Sequence, residues 1–397
     1  MGLLEPPGGP RRPHREVAVS QALPSYDRWG SLKGKRILVR VDFNAPVAEV
    51  RGRLEVTDDF RIRAALPLLE ELLSRGATVV ACTHFGRPHG QVVEEYRVEP
   101  VRRRLNELCR DVELMENLRF NPGEEADDPT FGASLVEGFD YYVNEAFGAS
   151  HRAHASIMVP PTLIPSAAGP NLARETSTIL GLLESPARPF VAIIGGAKVA
   201  DKLAITKVLC AKADTVIVGG GMAYTFQAAL GHSVGSSLFD ASYVEQCAQL
   251  LAAGNVVIPS DAWGLPSTSP FGANAGSEPA TLFGPDIPDG FAGLDIGPAS
   301  VERFADVIAG AATILWNGPM GVFEDGRFSS GTEAVARAVA ASGAVSVVGG
   351  GDSVAALQTF GLEGDVSFVS TGGGASLELV ELGDLPGLKA LRESPFN

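Results

Sequence analysis

Cysteine is scarce in this chain of 397 residues, with only Cys82, Cys109, Cys210 and Cys247, and no two form a C-x-x-C pair. That spacing suggests neither a disulfide framework nor a zinc site, and the four read as buried or surface thiols. Positive charge is also short. Lys and Arg number 32 against 47 Asp and Glu, a net charge of −15, which argues against nucleic acid or an anionic membrane as the main partner. No apolar run reaches the length of a membrane span. Arg11-Arg12 is followed by no hydrophobic region and Met1-Gly2 has no Ser or Thr at position 6, so a cytoplasmic protein is expected. Neither the G-x-x-x-x-G-K-[ST] phosphate loop nor the G-x-G-x-x-G dinucleotide fingerprint occurs. Histidine is sparse too, and none follows His232. The stretch Gly231-His232-Ser233-Val234-Gly235 is therefore no nucleophile elbow, which needs a histidine after its serine.

What is present is apolar mass and alternating structure. With 45% hydrophobic and 20% charged residues, the chain can bury large cores, and its length predicts two or three domains. Residues 1–21, rich in Pro, Gly and Arg, read as a disordered or loosely attached leader. Apolar strands at 36–41, 78–82 and 141–143 each run into a polar cluster, with helices between them. One helix, after Thr57-Asp58-Asp59, puts Ile62, Leu66, Leu69 and Leu73 on its buried side. An amphipathic helix over 171–184 ends at a Pro-rich break, where a domain boundary is placed. Beyond it, strand ends carry glycines instead of arginines. Strand 190–194 meets Gly195-Gly196, with Lys198, Asp201 and Lys202 on the opening turn of a helix. Strands at 215–218, 313–315, 345–348 and 366–369 likewise meet Gly219-Gly220-Gly221, Asn317-Gly318, Gly349-Gly350-Gly351 and Gly372-Gly373-Gly374. Regular βα alternation predicts two doubly wound, parallel-sheet α/β domains of Rossmann type, joined by a hinge helix with a cleft between.

The strand ends define the chemistry. Arg61, Arg87, Arg119 and Arg152, with His84 and His151, suit a phosphate or carboxylate. Any one of these arginines alone is more often a surface ion-pair residue, but four at strand or helix ends point to a shared anion. Glycines and lysines beside a helix N-terminus suit nucleotide phosphates. Asp352 reads as an N-cap that becomes a Mg²⁺ ligand beside such phosphates, and Glu324 as an acceptor for ribose hydroxyls. An anionic small molecule on one half and a Mg-nucleotide on the other fit phosphoryl transfer. A carboxylate acceptor needs no general base, because a carboxyl with a pKa of about 4 is already ionised at neutral pH.

The segments RVDFNAP (40–46), THFGRP (83–88), ENLRF (116–120), VNEAFGASHRAH (143–154), GGAKVADK (195–202), GGGMAYTF (219–226), WNGPMGVFE (316–324), GGGDS (349–353) and STGGGASLE (370–378) resemble phosphoglycerate kinases in order and spacing. The resemblance implies the glycolytic reaction of 3-phosphoglycerate and ATP to 1,3-bisphosphoglycerate and ADP, with Mg²⁺, in a monomer. By this resemblance Asp42, Phe43, Asn44, Arg61, His84, Phe85, Gly86, Arg87, Arg119 and Arg152 bind 3-phosphoglycerate, with Arg61 and Lys198 catalytic. Gly196, Lys198, Lys202, Gly220, Gly221, Gly293, Leu294, Asn317, Val322, Glu324, Gly350, Gly351, Asp352 and Ser353 bind nucleotide, and Asp352 the metal. It also implies substrate and nucleotide domains over 22–185 and 186–377, with 378–397 returning to the first. Glu145 stands where the family usually has Asp, and Ser353 where Thr is common. Family members usually carry a further strand and helix between Cys109 and Glu113, so one sheet edge is expected to be trimmed. The alternative is a non-catalytic nucleotide-binding homologue with a regulatory or scaffold role.

Overall fold

Continuous apolar runs, buried on both faces, mark the strands of a parallel sheet, and two such sheets carry this chain. The computed structural model describes residues 22–396, so the expected leader lies outside the described residues. The first sheet has five parallel strands in the order Val112–Leu114, Thr78–Cys82, Arg36–Arg40, Tyr141–Asn144, Ser166–Ala168. Its register sets Arg40 beside both Cys82 and Asn144. Asp42–Asn44, Thr83–Arg87 and Glu145–Arg152 consequently leave the sheet at one carboxyl edge, where open α/β sheets form their crevice.

The second sheet has six parallel strands in the order Val256–Val257, Thr215–Val218, Phe190–Ile194, Thr313–Asn317, Val345–Gly349, Phe368–Val369. Asn317 pairs with Ile194 on one side and Gly349 on the other, so the glycine loops also share one edge. Two antiparallel additions complete the frame. Val47–Val50 and Arg53–Val56 form a hairpin across Arg51 and Gly52, both at positive φ. Ala262–Pro266, Thr281–Phe283 and Phe291–Ile296 form a small outer sheet.

Helix Pro170–Glu184 lies between the sheets. Proline at its first position costs no hydrogen bond, and Leu172, Glu175, Thr176, Ile179, Leu182 and Leu183 form its buried stripe. One apolar core runs past this helix from Leu38, Val80 and Tyr142 to Phe190, Ile194 and Leu379. Helix Gly374–Leu382 packs on it and on helix Leu203–Lys212. The last helix, Pro386–Arg392, buries Leu388 and Leu391 against Ala155–Met158, Pro160–Leu163 and strand Ser166–Ala168.

Three local expectations are corrected. Lys198, Asp201 and Lys202 are not in a helical turn, because the following helix starts only at Leu203, with Lys202 at its N-cap and the other two in the loop before it. Helix Phe60–Ser74 buries Ile62, Ala65, Leu68, Leu69 and Leu72, with Leu66 and Leu73 at the margin. Its stripe follows i, i+3, i+4 from Ile62 through the small Ala65, which the leucine spacing alone does not show. The strand after Gly364 is confined to Phe368–Val369.

Candidate active site

On the first sheet's edge the backbone is held by side chains before any ligand is considered. Phe43 N–H donates to Thr83 Oγ1 at 3.0 Å, which ties the first loop to the second. Phe85 N–H donates to Asn117 Oδ1 at 3.0 Å and its carbonyl accepts from Asn117 Nδ2 at 2.6 Å. Gly86 joins three expected site residues. Its N–H donates to Asn44 Oδ1 at 2.9 Å, and its carbonyl accepts from Arg119 Nη1 at 2.7 Å. Its φ is +60°, and a Cβ there would lie 2.3 Å from the Tyr96 ring, so only glycine fits.

Cations outnumber their partners along this edge. Arg119 is buried, with Nε 3.0 Å from Glu125 Oε1. Burial, then the charge of Arg152, lowers its pKa to about 10. Arg152 donates from Nε to His151 Nε2 at 3.1 Å and has no carboxylate partner among the described residues. Arg87 is exposed and likewise unpaired among the described residues. Burial also depresses the three histidines. His84 falls well below its ordinary value, His151 falls, and His154 drops to about 3, each pushed further by neighbouring arginines. Such rings are weak bases, so the edge is built to hold an anion and not to take a proton.

Arg61 projects from the first turn of helix Phe60–Ser74, and its Nη1 lies 2.9 Å from Asp42 Oδ2. Burial tends to raise the Asp42 carboxyl, but the charges of Arg61 and Arg40 prevail and hold it below the usual range.

The second sheet's edge is a stack of bare loops. A Cβ on Gly195 would lie 2.1 Å from Pro319 O, and one on Gly318 would lie 2.1 Å from Gly195 O. These glycines therefore serve loop-on-loop packing. Gly351 and Gly373 have no atom within 4 Å of a Cβ position and face open space. Lys202 Nζ donates to Asn317 Oδ1 at 2.5 Å, while buried Asn317 Nδ2 has no partner among the described residues and lies beside Gly350. Burial lowers Lys202 to about pKa 8, against the opposing charges of Asp352 and Asp201. Ser353 Oγ accepts from Gly318 N–H at 2.5 Å. Asp352 is exposed in the first turn of helix Gly351–Phe360. Lys198 is exposed with no ion pair among the described residues.

Further along, Val322 N–H donates to Leu294 O at 2.9 Å, which joins the loop before Glu324 to the outer sheet. Gly293 N–H donates to Ser237 Oγ at 2.9 Å, and Glu324, two residues after Val322, is exposed. Gly196, Gly220 and Gly221 meet where Gly220 backs onto the Gly196 backbone and Gly221 onto Ala197.

The two edges face each other. A cavity of ≈ 380 Å³ is lined by Asn44, Phe60 and Arg61 from one and by Gly350, Gly351 and Thr371 from the other. Gln358 Nε2 reaches across to Asp58 Oδ2 at 3.5 Å. A larger hollow of ≈ 670 Å³ lies behind the hairpin. There Arg63 and Arg104 are 2.8 Å and 2.6 Å from Asp59.

The family model for phosphoglycerate kinase matches residues 28–115 and 109–382. The chain belongs to the phosphoglycerate kinase family. The join between the two matched stretches falls at the shortened segment after Cys109, where the sheet ends on the three-residue strand Val112–Leu114. The phosphoglycerate kinase of Rubrobacter xylanophilus is 49% identical over 387 residues, covering 91% of this chain and 96% of its own. That of Moorella thermoacetica is 46% identical over 391 residues, covering 91% and 97%. Among solved structures, the phosphoglycerate kinase of Coxiella burnetii superposes with a TM-score of 0.82 at 35% identity, covering 94% of this chain and 99% of its own. That of Pyrococcus horikoshii gives 0.78 at 29% identity, covering 92% and 98%.

Sequence reasoning leaves several supporting residues without a role. Thr83 and Asn117 lie inside the family-like segments, yet nothing in their spacing shows which backbone groups they hold. Buried Glu175 accepts from Thr371 N–H at 2.6 Å and Oγ1 at 2.8 Å, linking positions 196 residues apart.

Proposed function

We propose that this chain transfers a phosphoryl group reversibly between ATP and the carboxylate of 3-phosphoglycerate, giving 1,3-bisphosphoglycerate and ADP, as a glycolytic kinase. The observation that carries this is the cleft itself. Arg61 and Asn44 on one edge face the bare loop Gly350-Gly351 on the other across ≈ 380 Å³.

In this reading His84, Arg87, Arg119 and Arg152 grip the fixed phosphate of 3-phosphoglycerate. Asp42 and Asn44 hold the glycerate region, on the platform formed by Phe43, Phe85 and Gly86. That leaves the carboxylate pointing across the cleft. Lys202, Gly350, Gly351 and Ser353 hold nucleotide phosphates, with Asn317 Nδ2 as a further buried donor. Gly196, Gly220, Gly221, Gly293, Leu294 and Val322 enclose the adenosine, and Glu324 accepts from the ribose. Arg61 and Lys198 meet the group in flight from opposite sides and neutralise its charge. The carboxylate oxygen forms the new P–O bond while the bond to ADP breaks, and no proton moves.

Asp352 suits Mg²⁺. It is an exposed carboxylate beside the phosphate loops, and no group of three or more His, Cys, Asp or Glu able to hold a metal occurs among the described residues. Asp352 would hold magnesium together with the nucleotide phosphates, and the ion would supply charge neutralisation there.

We place the substrate domain over 22–185 and the nucleotide domain over 186–377, with 378–397 returning to the first. Every residue assigned a role comes from one chain, so a monomer suffices. The four unpaired thiols suit a cytoplasmic setting.

Purified protein given Mg-ATP and 3-phosphoglycerate should form an acyl phosphate that hydroxylamine traps. Nucleotide binding without any trapped product would favour the non-catalytic reading, against which the presence of both Arg61 and Lys198 now speaks.

A further inference from the structure

A fully buried arginine at the end of a central strand has to be explained, because an unmatched guanidinium there is costly. Arg40 has no exposed surface, and each face of its fork is occupied. Nε donates to Ser156 Oγ at 2.9 Å, Nη1 to Val41 O at 2.6 Å, and Nη2 meets His84 Nδ1 at 3.2 Å. Ser156 hands the interaction on, since its Oγ–H donates to Glu124 Oε1 at 2.7 Å and its N–H to Glu124 Oε2 at 3.0 Å. Glu124 is also fully buried, and its Oε1 lies 3.9 Å from Arg40 Nη2. The charge is thus balanced inside the protein and the guanidinium is pinned at three nitrogens. It does not serve as a mobile ligand cation.

We infer that Arg40 is a positioning residue that acts through His84, fixing the imidazole in the tautomer with its proton on Nε2. A guanidinium can only donate. The nitrogen it faces must therefore accept, and a neutral ring that accepts at Nδ1 carries its proton at Nε2. Burial keeps the ring neutral, Arg40, Arg119 and Arg152 add to that, and Asp42 alone among the facing charges opposes it. Among the described residues the ring makes its hydrogen bond through Nδ1, so Nε2 is the nitrogen left for a ligand. The tautomer decides what that ligand meets. Nε2–H donates to a phosphate oxygen, whereas the opposite tautomer presents a lone pair to it. The benefit for catalysis rests on the proposed reading of His84 as a substrate-phosphate contact; the tautomer itself does not.

The test uses the full-length protein labelled with ¹⁵N at its imidazoles. Only six histidines are present, and His84→Gln assigns the ring of interest. Two-bond ¹H–¹⁵N correlation should show His84 protonated at Nε2 and bare at Nδ1, unchanged across the neutral pH range. Arg40→Lys keeps the charge but loses the planar fork. It should mix the two tautomers and raise KM for 3-phosphoglycerate roughly 10- to 100-fold, the worth of one hydrogen bond to a charged group, with kcat changed much less. A wild-type ring protonated at Nδ1 overturns the inference. So does an Arg40→Lys protein whose KM rises while the His84 signals stay as they were, since Arg40 would then act by charge alone. If Arg40→Lys does not fold, the wild-type spectrum decides. Wild-type protein that makes no acyl phosphate would defeat the proposed function, while the same spectrum would still settle the tautomer.

Discussion

Arg61 Nη1 and Asp42 Oδ2 are 2.9 Å apart, an ion pair made within the first half of the chain at the lip of the cleft. A guanidinium so held is already aimed before the nucleotide arrives. Its charge should count most when the phosphoryl group is between donor and acceptor. Arg61→Ala is expected to lower kcat roughly 10²–10³-fold, the usual cost of one such electrostatic stabiliser, with KM for 3-phosphoglycerate little altered. Steady-state kinetics decide it. A raised KM with unchanged kcat would make Arg61 a binding residue only.

Closure of the cleft is the second expectation. Lys198 stands in solvent, and the cavity between the two edges is still ≈ 380 Å³. In-line transfer needs the carboxylate oxygen within about 3–3.5 Å of phosphorus. In the proposed reading each ligand touches mainly one edge, so either alone should have little differential affinity for the closed form. Small-angle scattering should show the radius of gyration falling fully only with both ligands bound. An unchanged radius with both demonstrably bound would rule large closure out.

If Lys202 holds nucleotide phosphate as proposed, nucleotide affinity should depend on pH. Burial lowers its pKa to about 8 in the free protein, and bound phosphate must favour the charged form. ATP affinity is therefore expected to weaken as pH rises through about 8, and Lys202→Met should flatten that dependence in calorimetric titrations. The sign for folding is opposite. A lysine depressed from 10.5 binds fewer protons folded than unfolded, so its contribution to stability improves as pH rises from about 8 to 10.5. An ATP affinity that is flat across pH 7–9 would contradict the assignment.

Glu145 and Gly169 form a matched pair. The buried Glu145 carboxylate accepts from Asn171 N–H at 3.1 Å, at the start of helix Pro170–Glu184, and burial raises its pKa to about 8. A Cβ on Gly169 would lie 2.0 Å from Glu145 Oε2 and 3.1 Å from Leu68 Cδ2. Gly169→Ala should destabilise by about 1–3 kcal/mol, the usual cost of overpacking. Shortening the acid with Glu145→Asp should recover part of that loss. Chemical denaturation of the two single variants and the double variant measures the coupling. Strict additivity would show that the glycine is not there for the longer acid.

The parallel strands are legible in the sequence because burial on both faces makes them continuous apolar runs, as in Phe190–Ile194. The small sheet around Ala262–Pro266 and the hairpin at Val47–Val50 are not. Their strands are partly exposed and interrupted by Gly264, Pro266 or Glu49, so no such run marks them. Helix starts are less legible than helices. The glycines before Lys198 resemble a strand–helix turn, but the loop continues to Leu203. The chemistry-bearing side chains can be named from their motifs, whereas Arg40, Thr83 and Asn117 owe their partners to contacts that only the folded chain makes. The glycines illustrate the same limit. Sequence does not separate Gly195, which packs against another loop, from Gly351, which faces open space.

The final helix has a consequence for synthesis. Pro386–Arg392 seats Leu388 and Leu391 against elements of the first half that end at Ala168. At about 5–20 residues per second, the ribosome needs roughly 10–45 s to travel from one to the other. During that interval the first half has emerged but lacks the two leucines that cover part of its surface, and the whole second half is made in between. The first-translated part of this protein is thus the last to be finished, and any message truncated before Pro386 leaves it permanently uncapped.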